Sequence, residues 1–177
     1  MLWAGVAGFA TLFSLSPRLS FMGELDQREG LLTVLALAGL HVAAGHSHRD
    51  ERDVRGTLRV VARCGIVAAV YAQLQLAGLD PIPWSGVHTY AVHGAIALRP
   101  AGPLGNPIPL GVVLAVTLSI VLARLAEGAS DAAWRVPAAA LLSASLVMTL
   151  SRGAWIAAAL GVGVALGLAL QSGARTR

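Results

Sequence analysis

The sequence predicts an all-α fold, a polytopic bundle of about five to six membrane-spanning helices. Three observations predict it. Hydrophobic residues make up 56% of the 177 residues and charged residues only 12%, against about 25% charged in an ordinary soluble domain. The mean hydropathy is +0.70. The apolar residues are gathered into six runs separated by short polar segments, the pattern of a helix bundle in lipid rather than of one soluble core. A single membrane domain over residues 1–177 accounts for the chain.

The runs are Leu2–Leu15, Leu31–Gly45, Val60–Gly78, Ile108–Ala126, Trp134–Leu150 and Ala154–Leu170. A full span takes about 20 residues, so the first two are short. The second lengthens backwards into Leu25–Gly30. The first is an incomplete or surface-lying span, and it lacks the basic start and cleavage site of a signal peptide. Between the second and third runs, His46–Arg59 reads as a solvated charged loop. The segment Leu79–Pro107 is too rich in proline and glycine for a long helix, and Trp84 and Tyr90 within it suit a membrane interface. Gln73 and Gln75 fall at the outer end of the preceding run, where polar side chains face the protein interior or mark the membrane edge. In the last run Gly163 and Gly167 form a small-xxx-small pair that allows close helix approach. General glycine richness explains that pair equally well.

Every basic residue is arginine, and the net charge is +4. In a soluble protein a pI near 10.6 would raise nucleic acid as a partner. Here the arginines lie in short segments between apolar runs, so the expected partner is the lipid bilayer and no nucleic acid is expected. Cys64 is the only cysteine, which excludes a disulfide framework. His41, His46, His48, Asp50 and Glu51 are close in sequence but match no strong metal signature, so neither metal nor cofactor is expected.

Placing successive loops on alternate sides puts nine arginines on one face: Arg49, Arg52, Arg55, Arg59, Arg63, Arg124, Arg135, Arg175 and Arg177. The other face holds four, Arg18, Arg28, Arg99 and Arg152. The positive-inside rule assigns the nine to the cytoplasm. The four outward arginines oppose that bias, and each outward loop has at least one near a membrane end. Converging guanidinium groups would bind phosphate by forked, charge-assisted hydrogen bonds. Alternatively they anchor in the headgroup layer.

Four segments, in order, resemble the O-antigen ligase and O-antigen polymerase family, which includes bacterial protein O-oligosaccharyltransferases. They are the Gly…Arg…Gly stretch from Gly23 through Arg28 to Gly30, and the aromatic…Gln…Gly-Leu-Asp-Pro stretch from Tyr71 through Gln75 and Gly78 to Pro81. The third is the Arg…Gly…Gly-Asn-Pro stretch from Arg99 through Gly102, Gly105 and Asn106 to Pro107. The fourth is the Ser151-Arg152-Gly153 signature. The resemblance covers residues 17–170.

It implies part of a larger GT-C-like membrane glycosyltransferase fold in the bacterial inner membrane. The implied activity moves a glycan from an undecaprenyl-diphosphate carrier to an acceptor at the periplasmic face. That acceptor is a lipid A core sugar of lipopolysaccharide, a growing polysaccharide or a protein hydroxyl. Arg28, Arg99 and Arg152 are implied as contacts to the lipid diphosphate, and Gln75 and Asn106 as glycan or pocket contacts. Family members place a catalytic histidine in a large outer loop after the Ser-Arg-Gly helix, whereas this chain ends at Arg177. The expectation is therefore a truncated member supplying the donor-binding half, with a second chain carrying the rest of the fold. The competing expectation is a non-catalytic truncated membrane protein or helper subunit.

Overall fold

The computed structural model describes residues 2–23, 30–48, 50–80, 82, 89–92, 95–127 and 132–175. The architecture is helical. Among the described residues the helices are α1 (Leu2–Leu12), α2 (Pro17–Met22), α3 (Leu31–Ser47), α4 (Glu51–Leu76), α5 (Pro107–Ala126), α6 (Ala132–Met148) and α7 (Arg152–Arg175). Between α4 and α5 lie an antiparallel hairpin, β1 (Thr89–Val92) with β2 (Ala95–Leu98), and a 3-10 turn at Gly102–Leu104. Helices α4 and α5 are long and apolar enough to cross a membrane, and the apolar stretches of α1, α3, α6 and α7 are shorter.

The chain divides into two compact units, Met1–Gly56 and Thr57–Arg177. In the first, α1 and α2 pack against α3. Gly23 and Gly30 abut backbone to backbone, so closely that a Cβ on Gly30 would overlap the Gly23 amide.

In the second unit α5 is the central helix and packs on both α6 and α7. Its residues Leu110, Leu114, Leu118 and Val121 recur every three or four positions, which puts them on one face of a helix, and all four are buried. Helix α4 answers with small residues at the same spacing, Ala62, Gly65, Ala69 and Ala72, all buried. Small residues permit two helices to approach closely. The approach is tightest where a Cβ on Gly65 would overlap the Thr117 side chain of α5. Two polar contacts tie α4 to α6: Gln73 Nε2 donates to Ser145 Oγ at 2.9 Å, and Ser145 Oγ donates to the Ala69 carbonyl at 3.3 Å. From α6, Ala138, Leu142 and Leu146 enter the core, and from α7, Ala154 and Ala158.

Two features differ from the sequence expectation. Helix α4 starts at Glu51 rather than Val60, so most of the expected solvated loop is helix. Charge does not stop a helix: arginine and glutamate are good helix formers, and Glu51 pairs with Arg55 one turn on. The hairpin inside the long connection is the other, since proline and glycine exclude a long helix but leave room for short strands. The outer boundaries of α5, α6 and α7 fall within a few residues of the expected runs at their N-terminal ends.

Candidate functional site

Three of the four resemblance segments meet at one end of the second unit. The C-terminal end of α4, the start of α5 and the α6–α7 turn all lie there, joined by hydrogen bonds between residues far apart in sequence.

Gln75 is the hub. It sits in the last turn of α4 and is 7% exposed. Its Oε1 accepts from the Ala101 amide at 3.0 Å and the Gly102 amide at 2.7 Å. Its Nε2 donates to Asp80 Oδ2 at 2.8 Å. A buried amide side chain is costly unless its atoms are paired, and both its polar atoms are engaged. Tyr71, one turn earlier, donates its hydroxyl to Asp80 Oδ1 at 2.6 Å, and the Ile82 amide donates to the same oxygen at 3.1 Å. The Tyr71 hydroxyl is the largest influence on the Asp80 carboxyl; desolvation opposes it, and Gln75 and Ile82 add to it. The balance holds the Asp80 pKa below its ordinary 3.8. The carboxylate is thus a fixed acceptor in a latch that holds the start of the long connection against α4.

Gly102 has φ of 60°, a backbone region that favours glycine. It also lies against Leu110, whose Cδ1 would be 2.7 Å from a Cβ at this position. Asn106 caps α5: its Oδ1 accepts from the Ile108 amide at 2.9 Å, satisfying a donor of the first turn. Pro107 follows at the first helical position, where a missing N–H costs nothing.

The α6–α7 turn carries the signature segment. Leu150 has φ of 51°, the only positive φ outside glycine among the described residues. Thr149 is fully buried, and its Oγ1 donates to the Leu146 carbonyl at 2.7 Å. Trp155 Nε1 donates to that same carbonyl at 3.1 Å. Arg99 Nε donates to the Thr149 carbonyl at 2.8 Å, placing a cation where the carbonyl end of α6 concentrates partial negative charge. Ser151 is buried, and Arg152 opens α7 exposed to its surroundings. The turn is pressed onto α5 at Gly111, where a Cβ would stand 2.7 Å from Ala154 Cβ and 3.3 Å from Ser151 Cβ.

The structure therefore brings Gln75, Arg99, Asn106 and Arg152 to one end of the bundle. Arg99 and Arg152 flank the same three-residue turn, one through its hydrogen bond and the other by chain position. Arg28 lies outside the described residues. Gln75 and Asn106 serve the scaffold through the bonds above, and Asn106 is also exposed. Sequence reasoning missed the Tyr71–Asp80 contact and the Thr149 carbonyl as the anchor for Arg99. The first pair lies nine positions apart and carries no periodic signal; a backbone carbonyl carries none at all.

The α6–α7 turn carries positive charge, while the Asp80 carboxylate stands at the same end beside Gln75. A cation on the first turn of a helix is disfavoured by the helix dipole. Arg152 nonetheless stands there, so its guanidinium and the partial positive charge of α7 add. The N-terminus of α5 lies at the same end. Comparison with family models, with curated proteins and with solved structures gives no match in any of the three. No group of three or more metal-binding side chains occurs among the described residues.

Proposed function

We propose that the chain is a multi-pass protein of the bacterial inner membrane, crossing the bilayer five or six times in a GT-C-like arrangement. In this reading the Gln75 end of the second unit faces the periplasm and binds the diphosphate of an undecaprenyl-linked glycan. Among the described residues, helices α4 and α5 by themselves meet the length and hydropathy of a span. The observation that carries the reading is the exposed Arg152 at the N-terminus of α7, one turn from the carbonyl that holds Arg99. Both guanidinium groups come from the segments that resemble the O-antigen ligase family.

The role proposed is in glycosyl transfer. As the bond between the sugar and the carrier oxygen breaks, negative charge gathers on the diphosphate. Fixed cations at that position stabilise the leaving group most where its charge is greatest. The acceptor hydroxyl and the group that takes its proton lie outside the residues assigned here.

The test is binding of undecaprenyl diphosphate to the purified full chain in nanodiscs. A charge-assisted hydrogen bond contributes about 1.5–3 kcal/mol, so Arg152→Ala is expected to weaken binding about tenfold to a hundredfold. Arg99→Ala weakens it as well and also frees the Thr149 carbonyl, so its helicity is measured alongside. Arg52→Ala, in the other unit, leaves binding unchanged. Equal affinity of the parent and Arg152→Ala would rule out the diphosphate site.

A further inference from the structure

The opposite end of the second unit is also basic, and the proposed diphosphate site does not use it. Its residues are fixed at one level by the packing. Gly65 of α4 meets Thr117 of α5. The two helices run in opposite directions, since Gln75 and Pro107 share the other end. Six residues back from Gly65 is Arg59, about 9 Å along the axis. Seven residues on from Thr117 is Arg124, about 10 Å in the same direction. Helix α6 supplies an independent register: Ser145 bonds Ala69 of α4, and ten residues back along both helices stand Arg135 and Arg59. Three arginines from three helices thus share one level. Arg63, one turn further into α4, is exposed.

The surroundings of these cations are apolar. Val60 is 59% exposed, Trp134 46% and Val136 57%. Arg135 lies over the Trp134 ring at 5.6 Å and donates Nη1 to the Arg124 carbonyl at 3.0 Å, stitching the start of α6 to the end of α5. Arg124 pairs with Glu127 at 3.2 Å. In sequence the α5–α6 connection carries one further acid, Asp131. Exposed apolar side chains interleaved with guanidinium groups, with a tryptophan at the same level, fit a membrane interface and not an aqueous polyanion. Arg63, with apolar neighbours along the helix, would extend its stem toward this level to place its charge among headgroups.

We propose that this end of the second unit is a binding surface for anionic phospholipid headgroups, with Arg59, Arg63 and Arg124 as the phosphate contacts and Trp134 as the interfacial anchor. Arg135 acts through the α5–α6 connection, holding Trp134 and Arg124 at the right depth. The inference rests on the membrane reading above but not on the diphosphate site.

Native mass spectrometry of the detergent-solubilised full chain tests it. The probes are dioleoyl phosphatidylglycerol and dioleoyl phosphatidylcholine, identical in acyl chains. Retention of phosphatidylglycerol is expected to exceed that of phosphatidylcholine, and to fall about fivefold for each of Arg59→Gln, Arg63→Gln and Arg124→Gln. Equal retention of the two lipids by the parent chain overturns the proposal, as does a preference that survives the triple variant with helicity intact. Alkaline carbonate extraction separates the two readings. A chain released by carbonate overturns the membrane reading and the lipid surface together. A chain that resists carbonate but shows no lipid preference overturns the surface alone.

Discussion

Leu150 is the residue where local chemistry and fold disagree most. A leucine at positive φ costs about 1–2 kcal/mol relative to the right-handed region. The turn keeps it because Thr149, Ser151 and Ala154 are already committed to α5 and α6. Glycine would remove that strain but add about 0.5–1 kcal/mol of unfolded-state entropy. Loss of the half-buried leucine side chain costs about 1–1.5 kcal/mol, so Leu150→Gly should change stability by no more than about 1.5 kcal/mol, read from the thermal midpoint in detergent. Gln75 is the opposite case, a residue whose loss cannot be absorbed. Gln75→Leu leaves the Ala101 and Gly102 amides buried without an acceptor, at about 2–6 kcal/mol for the pair. Limited proteolysis within residues 79–98 should accelerate in that variant. Asp80 gives the latch a pH dependence whose sign is fixed. Its folded pKa is depressed, so its contribution is fully present above the ordinary 3.8 and is lost as pH falls through the lower folded value. The carboxyl titration of Asp80, followed by NMR, should have its midpoint below 3.8. In Tyr71→Phe, which lacks the hydroxyl with the largest influence, that midpoint should rise.

At the scale of the element, α4 and α5 depend on the absence of a side chain. Gly65→Val would drive two methyl groups into Thr117. Overpacking of this kind costs about 1–3 kcal/mol, and Thr117→Ala in the same chain should recover part of it, measured by unfolding of the double variant. The elements also show what the sequence could and could not tell. The start of α5 was legible because its apolar run is bounded by an asparagine cap and a proline. The starts of α6 and α7 were nearly so, since hydropathy falls sharply at both. The start of α4 was not legible, because a hydropathy reading stops at Val60, beside Arg59, and cannot see that the backbone continues as helix to Glu51. The hairpin was hidden for a related reason: the ladder between Thr89 and Leu98 depends on backbone pairing in a segment whose composition advertises turns. Within the site, Arg99, Gln75 and Arg152 could be singled out from charge and order. Their partners could not, because three of the acceptors and donors involved are backbone groups.

For the molecule as a whole, the proposed orientation predicts opposite exposure of the two ends of the second unit. In a Cys64→Ser background, Leu79→Cys lies at the Gln75 end and Glu127→Cys at the arginine end, and both native residues are exposed. A membrane-impermeant maleimide applied to intact spheroplasts should label the first and not the second, and permeabilisation should equalise them. Labelling of both without permeabilisation would remove the proposed topology.

The Gln75 hub also has a consequence for how the chain is made. Its two amide donors lie 26 and 27 residues downstream, so on a ribosome Gln75 exists well before Ala101 and Gly102 do. Until they arrive, the end of α4 carries a polar side chain with two of its three partners missing. The closing of that bond is a late event in biogenesis. It joins the end of α4 to the turn at Gly102–Leu104 that leads into α5.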